Sequence, residues 1–416
     1  MSDRQSGKSL VVTLHPIALM HPILSILVRA LALSSTLSVA PCAEASVRPQ
    51  PAGALAEDAN QPEGIDLSEA LDKLRAKTDV PGAVMMVMES GEVVLWGAAG
   101  VRALGSDDPI QIGDPMHLGS CTKAMTSTLV GLLVEDGVLR WDTTISQALP
   151  EFAKKIDPGY HDITIELLVK HQAGIAERRR PEVAAHHGAL QTVEGTPVEA
   201  RLQILAGVLA IPPSPSVAGT YDYSNFGYML AGSMLEGITG KSWGDLMMER
   251  LFKPLKMKSA GIGSPAGAGV PVGHNMIDGT LTALPPGPGG ALAECMGPAG
   301  LAHCTLADWG IFINQHLNGA GGIYGFIKPN TLSLLHKDHG GSKYAAGWLL
   351  QTRRWGGEEA ASINHNGSDG SWLSETTAIP ELDLTIMVAF NSATTQSKSL
   401  MQDVMNLLLT ETGFMD

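Results

Sequence analysis

The stretch HLGSCTKAMTSTLVGLLVEDG, residues 117–137, carries the strongest structural signal in the chain. Apolar residues follow residue 120 at the spacing of one helix face, at Met125, Leu129, Leu132 and Leu133. The pattern predicts a helix that begins near Ser120 and ends near Gly137. Residues three apart share a helix face, so Lys123 in the first turn can reach the hydroxyl of Ser120.

The pair Ser120 and Lys123 suits nucleophilic catalysis, because a serine hydroxyl attacks poorly until a base accepts its proton. The positive end of the helix dipole favours an anionic oxygen there and disfavours a charged lysine. Ser-x-x-Lys occurs only at this place in the 416 residues. Taken alone, the pair also fits a helix cap followed by a solvated lysine.

A second motif is Tyr223-Ser224-Asn225, and Tyr-x-Asn also occurs once. A tyrosine with a lowered pKa can shuttle a proton between a nucleophile and a leaving group. An asparagine amide can bind a substrate carbonyl and hold a lysine in place. The alternative interpretation is a turn with a packed aromatic residue before the next helix.

A third motif is His365-Asn366-Gly367-Ser368. A glycine at a strand end lets a substrate backbone approach closely, and the amide that follows can point at an oxyanion. His-x-Gly also begins at His117, His186 and His339. We single out His365 because it alone lies between strand-like runs near the C-terminus.

Hydrophobic periodicity predicts the remaining elements. Strands are expected at 83–88 and 93–98 as a hairpin, and at 344–351, 361–365, 372–378 and 384–391. Helices are expected at 67–77, 202–209, 227–238, 243–251 and 400–409, and the Gly/Pro-rich segment 261–290 is expected to be a loop region with at most one hairpin. These elements predict an α+β fold: an antiparallel sheet built from both chain ends, flanked by helices, with a mostly helical second lobe over roughly 140–290 and the active site between the two.

The three motifs in this order resemble the class C β-lactamase and penicillin-binding-protein superfamily of serine hydrolases, in its β-lactamase-related branch with His-x-Gly as third motif. Weaker similarities extend the resemblance over residues 65–416, at Val80-Pro81-Gly82-Ala83, His171-Gln172-Ala173-Gly174-Ile175, Pro254-Leu255-Lys256-Met257, Gly300-Leu301 and Tyr344 to Trp348. The resemblance implies the β-lactamase/transpeptidase-like fold.

Residue by residue, the resemblance implies Ser120 as the acylated nucleophile and Lys123 as its activating partner. Tyr223 would be the general base and acid, and Asn225 would orient the substrate and Lys123. No metal ion and no organic cofactor are implied.

The resemblance also implies a substrate-binding edge. The backbone N–H groups of Ser120 and Ser368 would form the oxyanion hole, and His365 and Gly367 would stand at the third motif. β-Lactamases of this class carry Lys-Thr-Gly there, which binds the carboxylate of penicillins, and this sequence has no such triplet. A histidine is mostly neutral at pH 7, so carboxylate recognition should be weaker.

We therefore expect acyl transfer to water from an ester or amide, as in an esterase, D-amino-acid peptidase or carboxypeptidase. The alternatives are a β-lactamase of weak activity and an acylated sensor without turnover. Arg178-Arg179-Arg180 is either a solvated basic turn or the source of one arginine that binds an anionic group of the substrate. The partner is a small molecule or peptide, and the sequence leaves the oligomeric state open.

Composition restricts the class of protein. The net charge of −14 argues against nucleic acid as a partner, and 44% hydrophobic residues suffice for a large core. Residues 1–45, starting at Met1 or Met20, are expected to be a signal peptide cleaved before Ser46, which predicts a periplasmic or secreted protein without a stable membrane span. Residues 46–64 are expected to be a flexible lead-in to the hydrolase domain at 65–416.

Cysteine and histidine patterns suggest no metal site. Removal of the signal segment takes Cys42 and leaves three cysteines, of which Cys295 and Cys304 are either bridged or two buried thiols. The adjacent His186 and His187 cannot both point at one metal from a helix, and we expect them on a solvated surface.

Overall fold

A computed structural model of the chain describes residues 61–215, 219–287, 292–317, 325–338 and 340–414. The expected signal segment 1–45 and residues 46–60 of the expected lead-in lie outside these ranges. Within them, no helix has both the length and the apolar character needed to cross a membrane.

Strands from both ends of the chain share one sheet. In chain order the strands are β1 (Ile65–Asp66), β2 (Gly82–Glu89), β3 (Glu92–Gly100), β4 (Met116–His117), β5 (Gly261–Ile262), β6 (His274–Ile277), β7 (Thr280–Ala283), β8 (Ala302–Cys304), β9 (Tyr344–Ala345), β10 (Trp348–Trp355), β11 (Glu358–Ser368), β12 (Leu373–Ile379) and β13 (Leu384–Phe390). The main sheet has the order β1-β3-β2-β13-β12-β11-β10-β9, while β4-β8-β5 and β6-β7 form two small sheets. All pairings in the main sheet are antiparallel except β1 with β3, which confirms the expected α+β class.

Helices cover the sheet and fill the middle of the chain. They are α1 (Ser68–Arg75), α2 (Thr122–Glu135), α3 (Ile145–Ala148), α4 (Pro150–Ala153), α5 (Ile165–Val169), α6 (Pro181–Ala184), α7 (Pro197–Leu209), α8 (Asn225–Thr239), α9 (Trp243–Met247), α10 (Gly297–Gly300), α11 (Leu306–Asn314), α12 (Pro329–Leu335) and α13 (Thr395–Glu411). A π-helical turn, Met248–Phe252, continues α9. Between 140 and 290 the described residues therefore hold helices α3 to α9 and then the short strands β5 to β7.

The central strands β2 and β13 are mostly apolar and almost entirely buried, because both faces of the sheet are covered. On one face, Met85 and Val388 pack in a cluster with α1 and α13. On the other, Val84 and Met387 join the larger cluster that contains α2, α11 and the helical lobe. Residues that alternate along a strand thus serve two cores.

The cysteines in the described part of the chain are unbridged. Cys121, Cys295 and Cys304 are buried free thiols, so the second of the two expected arrangements is the observed one.

The expected single strand at 344–351 is wrong, because the chain turns between β9 and β10. Gly347 lies in this turn with φ of +85°, and a Cβ there would stand 2.4 Å from the Cα of Ala124. The turn therefore rests directly on the first turn of α2. This contact joins two segments that are far apart in sequence, so the apolar run alone could not predict the break in the strand.

Replacing Gly347 by alanine should destabilise the fold more than the same change at Gly357. Both glycines have nearly equal φ, +85° and +86°, but a Cβ at Gly357 would meet nothing within 4 Å. The positive φ should cost each variant about 1 to 2 kcal/mol, and the clash with α2 should add about 1 to 3 kcal/mol at Gly347. Denaturant unfolding measures both, and equal losses would show that α2 yields to the added methyl group.

Candidate active site

Ser120 lies half-buried in a short 3₁₀ turn, Gly119–Cys121, which leads into α2. Hydrogen bonds from side chains hold this turn in place on both sides. Thr122 donates from Oγ1 to the carbonyl of Gly119 (2.7 Å) and accepts from the amide of Ala302 in β8 (3.0 Å). Ser374 in β12 donates to the carbonyl of Leu118 (2.8 Å). The nucleophile candidate is therefore fixed to the main sheet before α2 begins.

The end of β11 approaches this turn so closely that two glycines are required. A Cβ on Gly119, whose φ is +51°, would lie 2.4 Å from the amide nitrogen of Ser368. A Cβ on Gly367 would lie 2.0 Å from the carbonyl oxygen of Leu118. The sequence interpretation gave Gly367 the task of admitting a substrate backbone, whereas here its small size admits the 3₁₀ turn. The contact brings the amides of Ser120 and Ser368 to one place.

Lys123 is fully buried and contacts three oxygen atoms. Its Nζ lies 3.0 Å from Ser120 Oγ, 2.8 Å from Asn225 Oδ1 and 2.6 Å from the carbonyl oxygen of Ala299 in α10. Burial lowers the pKa of Lys123 to about 7. Near neutral pH the amine therefore exists in both protonation states.

The neutral amine fits these three contacts in one way. An uncharged amine has two N–H donors and one lone pair. Asn225 Oδ1 and the Ala299 carbonyl accept but cannot donate, so they take both N–H groups. The lone pair then faces Ser120, whose hydroxyl can donate to it. This is the geometry of a base beside its nucleophile.

Tyr223 reaches the same hydroxyl, with its phenol oxygen 2.8 Å from Ser120 Oγ. Tyr223 does not have the lowered pKa that would suit a proton shuttle: burial raises the pKa of Tyr223, and the hydrogen bond with Ser120 offsets only part of the rise. The phenol therefore keeps its proton near neutral pH and donates to Ser120.

Asn225, the first residue of α8, connects Lys123 to a carboxylate that sequence reasoning missed. Its Nδ2 donates to Oε1 of Glu177 (3.2 Å), while its Oδ1 faces Lys123. The sequence marks Glu177 in one way only: it is the single acidic residue of the segment 171–177.

The segment that carries Glu177 is sharply bent. His171 and Ala176 have positive φ, 59° and 58°, which costs a residue other than glycine about 1 kcal/mol or more. The imidazole of His171 accepts at Nδ1 from the amide of Ser224 (3.1 Å), and its ring centroid lies 4.4 Å from that of Tyr223. Burial, and then the nearby Lys123, keep the pKa of His171 well below its usual value. A neutral histidine thus orders the Tyr-x-Asn segment.

His365 is buried beside Tyr344, whose hydroxyl lies 3.4 Å from its Nε2. Its Nδ1 lies 2.6 Å from the carbonyl oxygen of Asn366. Burial and the charge of Lys123 lower the pKa of His365 to about 3. The third motif therefore contributes no positive charge at neutral pH.

The three consecutive arginines have separate environments. Arg179 pairs with Asp222 (3.1 Å), and Arg180 pairs with Glu182 (2.8 Å). Arg178 is exposed and places its guanidinium carbon 4.4 Å from the ring centroid of Tyr223. No carboxylate of the described residues lies within ion-pair distance of Arg178.

His186 and His187, expected on a solvated surface, are half-buried, and each contacts other side chains or backbone. His187 is 39% exposed, but its Nε2 lies 2.9 Å from Glu177 Oε1 and its ring stacks on Phe226. The ring of His186 covers Gly207, where a Cβ would come within 2.5 Å of it. Throughout the described ranges, no three His, Cys, Asp or Glu side chains are grouped so as to hold a metal ion.

Comparisons with known proteins find relatives over most of the chain. The family model described as Beta-lactamase matches residues 67–409. Penicillin-binding protein 4 of Amycolatopsis lactamdurans is 28% identical over 321 residues, which cover 75% of this chain and 81% of that protein. Unguisins hydrolase ungD' of Aspergillus campestris is 25% identical over 352 residues, or 81% of this chain and 63% of that one.

Among solved structures, the D-amino acid amidase of Ochrobactrum anthropi with D-phenylalanine superposes with a TM-score of 0.64. The superposition covers 83% of this chain and 97% of the amidase at 20% identity. At that level of identity the likeness concerns the fold.

Proposed function

The chain belongs to the Beta-lactamase family, and from this premise we propose that it is a serine hydrolase that forms an acyl-enzyme on Ser120 and hydrolyses an ester or amide. The observation that carries the proposal is the pair of contacts at Ser120 Oγ, 3.0 Å to Lys123 Nζ and 2.8 Å to the phenol of Tyr223. One hydroxyl thereby meets a proton acceptor and a proton donor.

In the acylation step, the neutral amine of Lys123 takes the proton of Ser120 as its oxygen attacks the carbonyl carbon. The amides of Ser120 and Ser368, which Gly119 and Gly367 bring together, stabilise the negative charge on the carbonyl oxygen. Tyr223 then gives its proton to the leaving group, and Lys123 reprotonates the phenolate. Water then attacks the acyl-enzyme in the same way: Lys123 takes a proton from the water, and Tyr223 gives its proton to the departing oxygen of Ser120.

Lys123 is thus the base and Tyr223 the acid in this proposal. The resemblance gave both tasks to Tyr223, but its raised pKa makes the phenol a poor base at neutral pH, whereas a pKa of about 7 suits Lys123.

Amides of D-amino acids and small esters are the substrates that we propose. The name of one solved relative, a D-amino acid amidase, supports the amides, and another relative is named a hydrolase of unguisins. Efficient hydrolysis of penicillins is disfavoured, because neutral His365 stands where a β-lactamase of this class has a lysine.

A neutral fluorophosphonate should label the wild type at Ser120 and leave Ser120→Ala unlabelled. The labelling rate should rise as the pH passes about 7, because Lys123 must lose its proton before it can accept one. Lys123→Ala should lower the rate by about 10² to 10⁴. Tyr223→Phe should keep the rise near pH 7; if the rise disappears in that variant, Tyr223 is the base and our assignment is wrong.

Turnover separates the hydrolase from its alternative, a sensor that is acylated and does not deacylate. Steady release of p-nitrophenol from a short ester supports hydrolysis, whereas a single burst supports the sensor. Tyr223→Phe should lower amide turnover more than ester turnover, since p-nitrophenolate leaves without a proton.

We propose that the guanidinium of Arg178 binds a carboxylate of the substrate. It is exposed beside Tyr223 and pairs with no carboxylate of the described residues. Arg178→Ala should raise KM about 10-fold or more for a peptide that ends in D-alanine, and leave KM for the corresponding amide unchanged. Arg179→Ala, which breaks the pair with Asp222, is the matched control. Equal effects on acid and amide would contradict the assignment.

We also propose export of the chain, with removal of residues 1–45. Ala43 and Ala45 are small residues at the positions that a signal peptidase reads, and an apolar stretch precedes them. The N-terminal sequence of the protein recovered from the periplasm or medium should begin at Ser46. A mature protein that retains residues 20–45 would contradict this.

A further inference from the structure

Glu177 is a buried carboxylate for which the acyl-transfer steps have no use. Its side chain is 3% exposed. Oε1 accepts from His187 Nε2 (2.9 Å) and Asn225 Nδ2 (3.2 Å), while Oε2 accepts from Ser224 Oγ (2.7 Å) and the amide of Phe226 (2.9 Å). Burial raises the pKa of Glu177, but the hydrogen bonds from His187, Ser224 and Phe226 outweigh it, and the group is ionised.

The first consequence concerns the orientation of Asn225. An ionised carboxylate only accepts hydrogen bonds, so the amide of Asn225 must turn its NH₂ group toward Glu177. Its oxygen then faces Lys123 and takes one of the two N–H groups of the neutral amine. Glu177 thereby determines where the lone pair of Lys123 points.

The second consequence concerns charge. A single side-chain amide separates the Glu177 carboxylate from Lys123 Nζ, with contacts of 3.2 Å and 2.8 Å on its two sides. A negative charge at this distance favours the protonated lysine, whereas burial favours the neutral one. Both effects act on the pKa of Lys123, and burial is the larger.

We propose that Glu177 is a positioning residue that orients Asn225 and sets the pH at which Ser120 becomes reactive. The proposal rests on the hydrolase function and adds to it the residue that tunes the base. Other titratable groups near the Lys123 amine are Cys121, His171, Arg178, Tyr223, Tyr228 and His365, and those near Glu177 are His187 and Asp222.

The pH dependence of fluorophosphonate labelling tests the proposal without a known substrate. Glu177→Gln removes the charge, so the rise in labelling rate should move to lower pH by about 1 unit, the size that Coulomb's law gives across an amide in a partly polar interior. The maximal labelling rate should fall about 10- to 100-fold. The amide that replaces the carboxylate turns an NH₂ group toward the surrounding hydrogen-bond donors, so Asn225 is no longer held in one orientation.

Glu177→Asp is the matched control. It keeps the charge and shortens the side chain, so the rise should stay at the wild-type pH while the maximal rate falls. A merely structural role would lower the rate in both variants without moving the rise in either. If Glu177→Gln does not fold, Glu177→Asp still decides on positioning: labelling as fast as the wild type at every pH would overturn it.

Because the imidazole of His187 contacts Glu177 Oε1 (2.9 Å), both variants are also measured in a chain that carries His187→Gln. A shift that persists supports the action of Glu177 on Lys123, and a shift that disappears assigns the effect to His187 and overturns the proposal. Wild type that is not labelled at Ser120 would instead refute the hydrolase function. Labelling with an unmoved rise refutes only the role of Glu177.

Discussion

The burial of one amine governs the architecture of this site. Lys123 has no exposed surface, and a drop in its pKa to about 7 corresponds to about 5 kcal/mol against the charged form. Folding can tolerate this because the amine loses its proton readily and finds acceptors at Asn225 and Ala299. Those acceptors come from α8 and α10, so both helices must pack against α2 to supply them. Stability and chemistry therefore impose the same packing.

The main sheet supplies the remaining geometry. Its last strands return from the C-terminal end of the chain and bring β11 against the turn before α2, with contacts that only Gly119 and Gly367 permit. Ser120 and Ser368 are far apart in sequence, yet the turn that holds Ser120 lies against the end of β11, because β11 pairs with β12, whose Ser374 holds the carbonyl of Leu118. The antiparallel order thus places an amide pair beside the nucleophile without any side chain that would mark it in the sequence.

Much of this arrangement could be predicted from the sequence. Apolar runs predicted β2, β3, β12, β13 and α8 within a few residues, since periodicity reports which side of an element is buried. The motifs predicted that Ser120, Lys123, Tyr223 and Asn225 would meet, and the structure brings them together. The break at Gly347, the raised pKa of Tyr223 and the contact of Glu177 with Asn225 were out of reach, because each depends on atoms supplied by another part of the chain.

The charges around Ser120 form an order that the motifs do not contain. The ionised carboxylate of Glu177 lies behind Asn225, the partly protonated amine of Lys123 lies beside Ser120, and a guanidinium lies over the ring of Tyr223. His365 adds no charge because burial keeps it neutral. A family member with a lysine at the third motif would place a second cation near Lys123 and favour the neutral amine further. With a neutral histidine there, the pKa of Lys123 depends mainly on its own burial opposed by Glu177. A neutral histidine at the third motif and a buried carboxylate behind Asn225 are thus parts of one electrostatic balance, in which Arg178 is the exposed positive charge beside Tyr223.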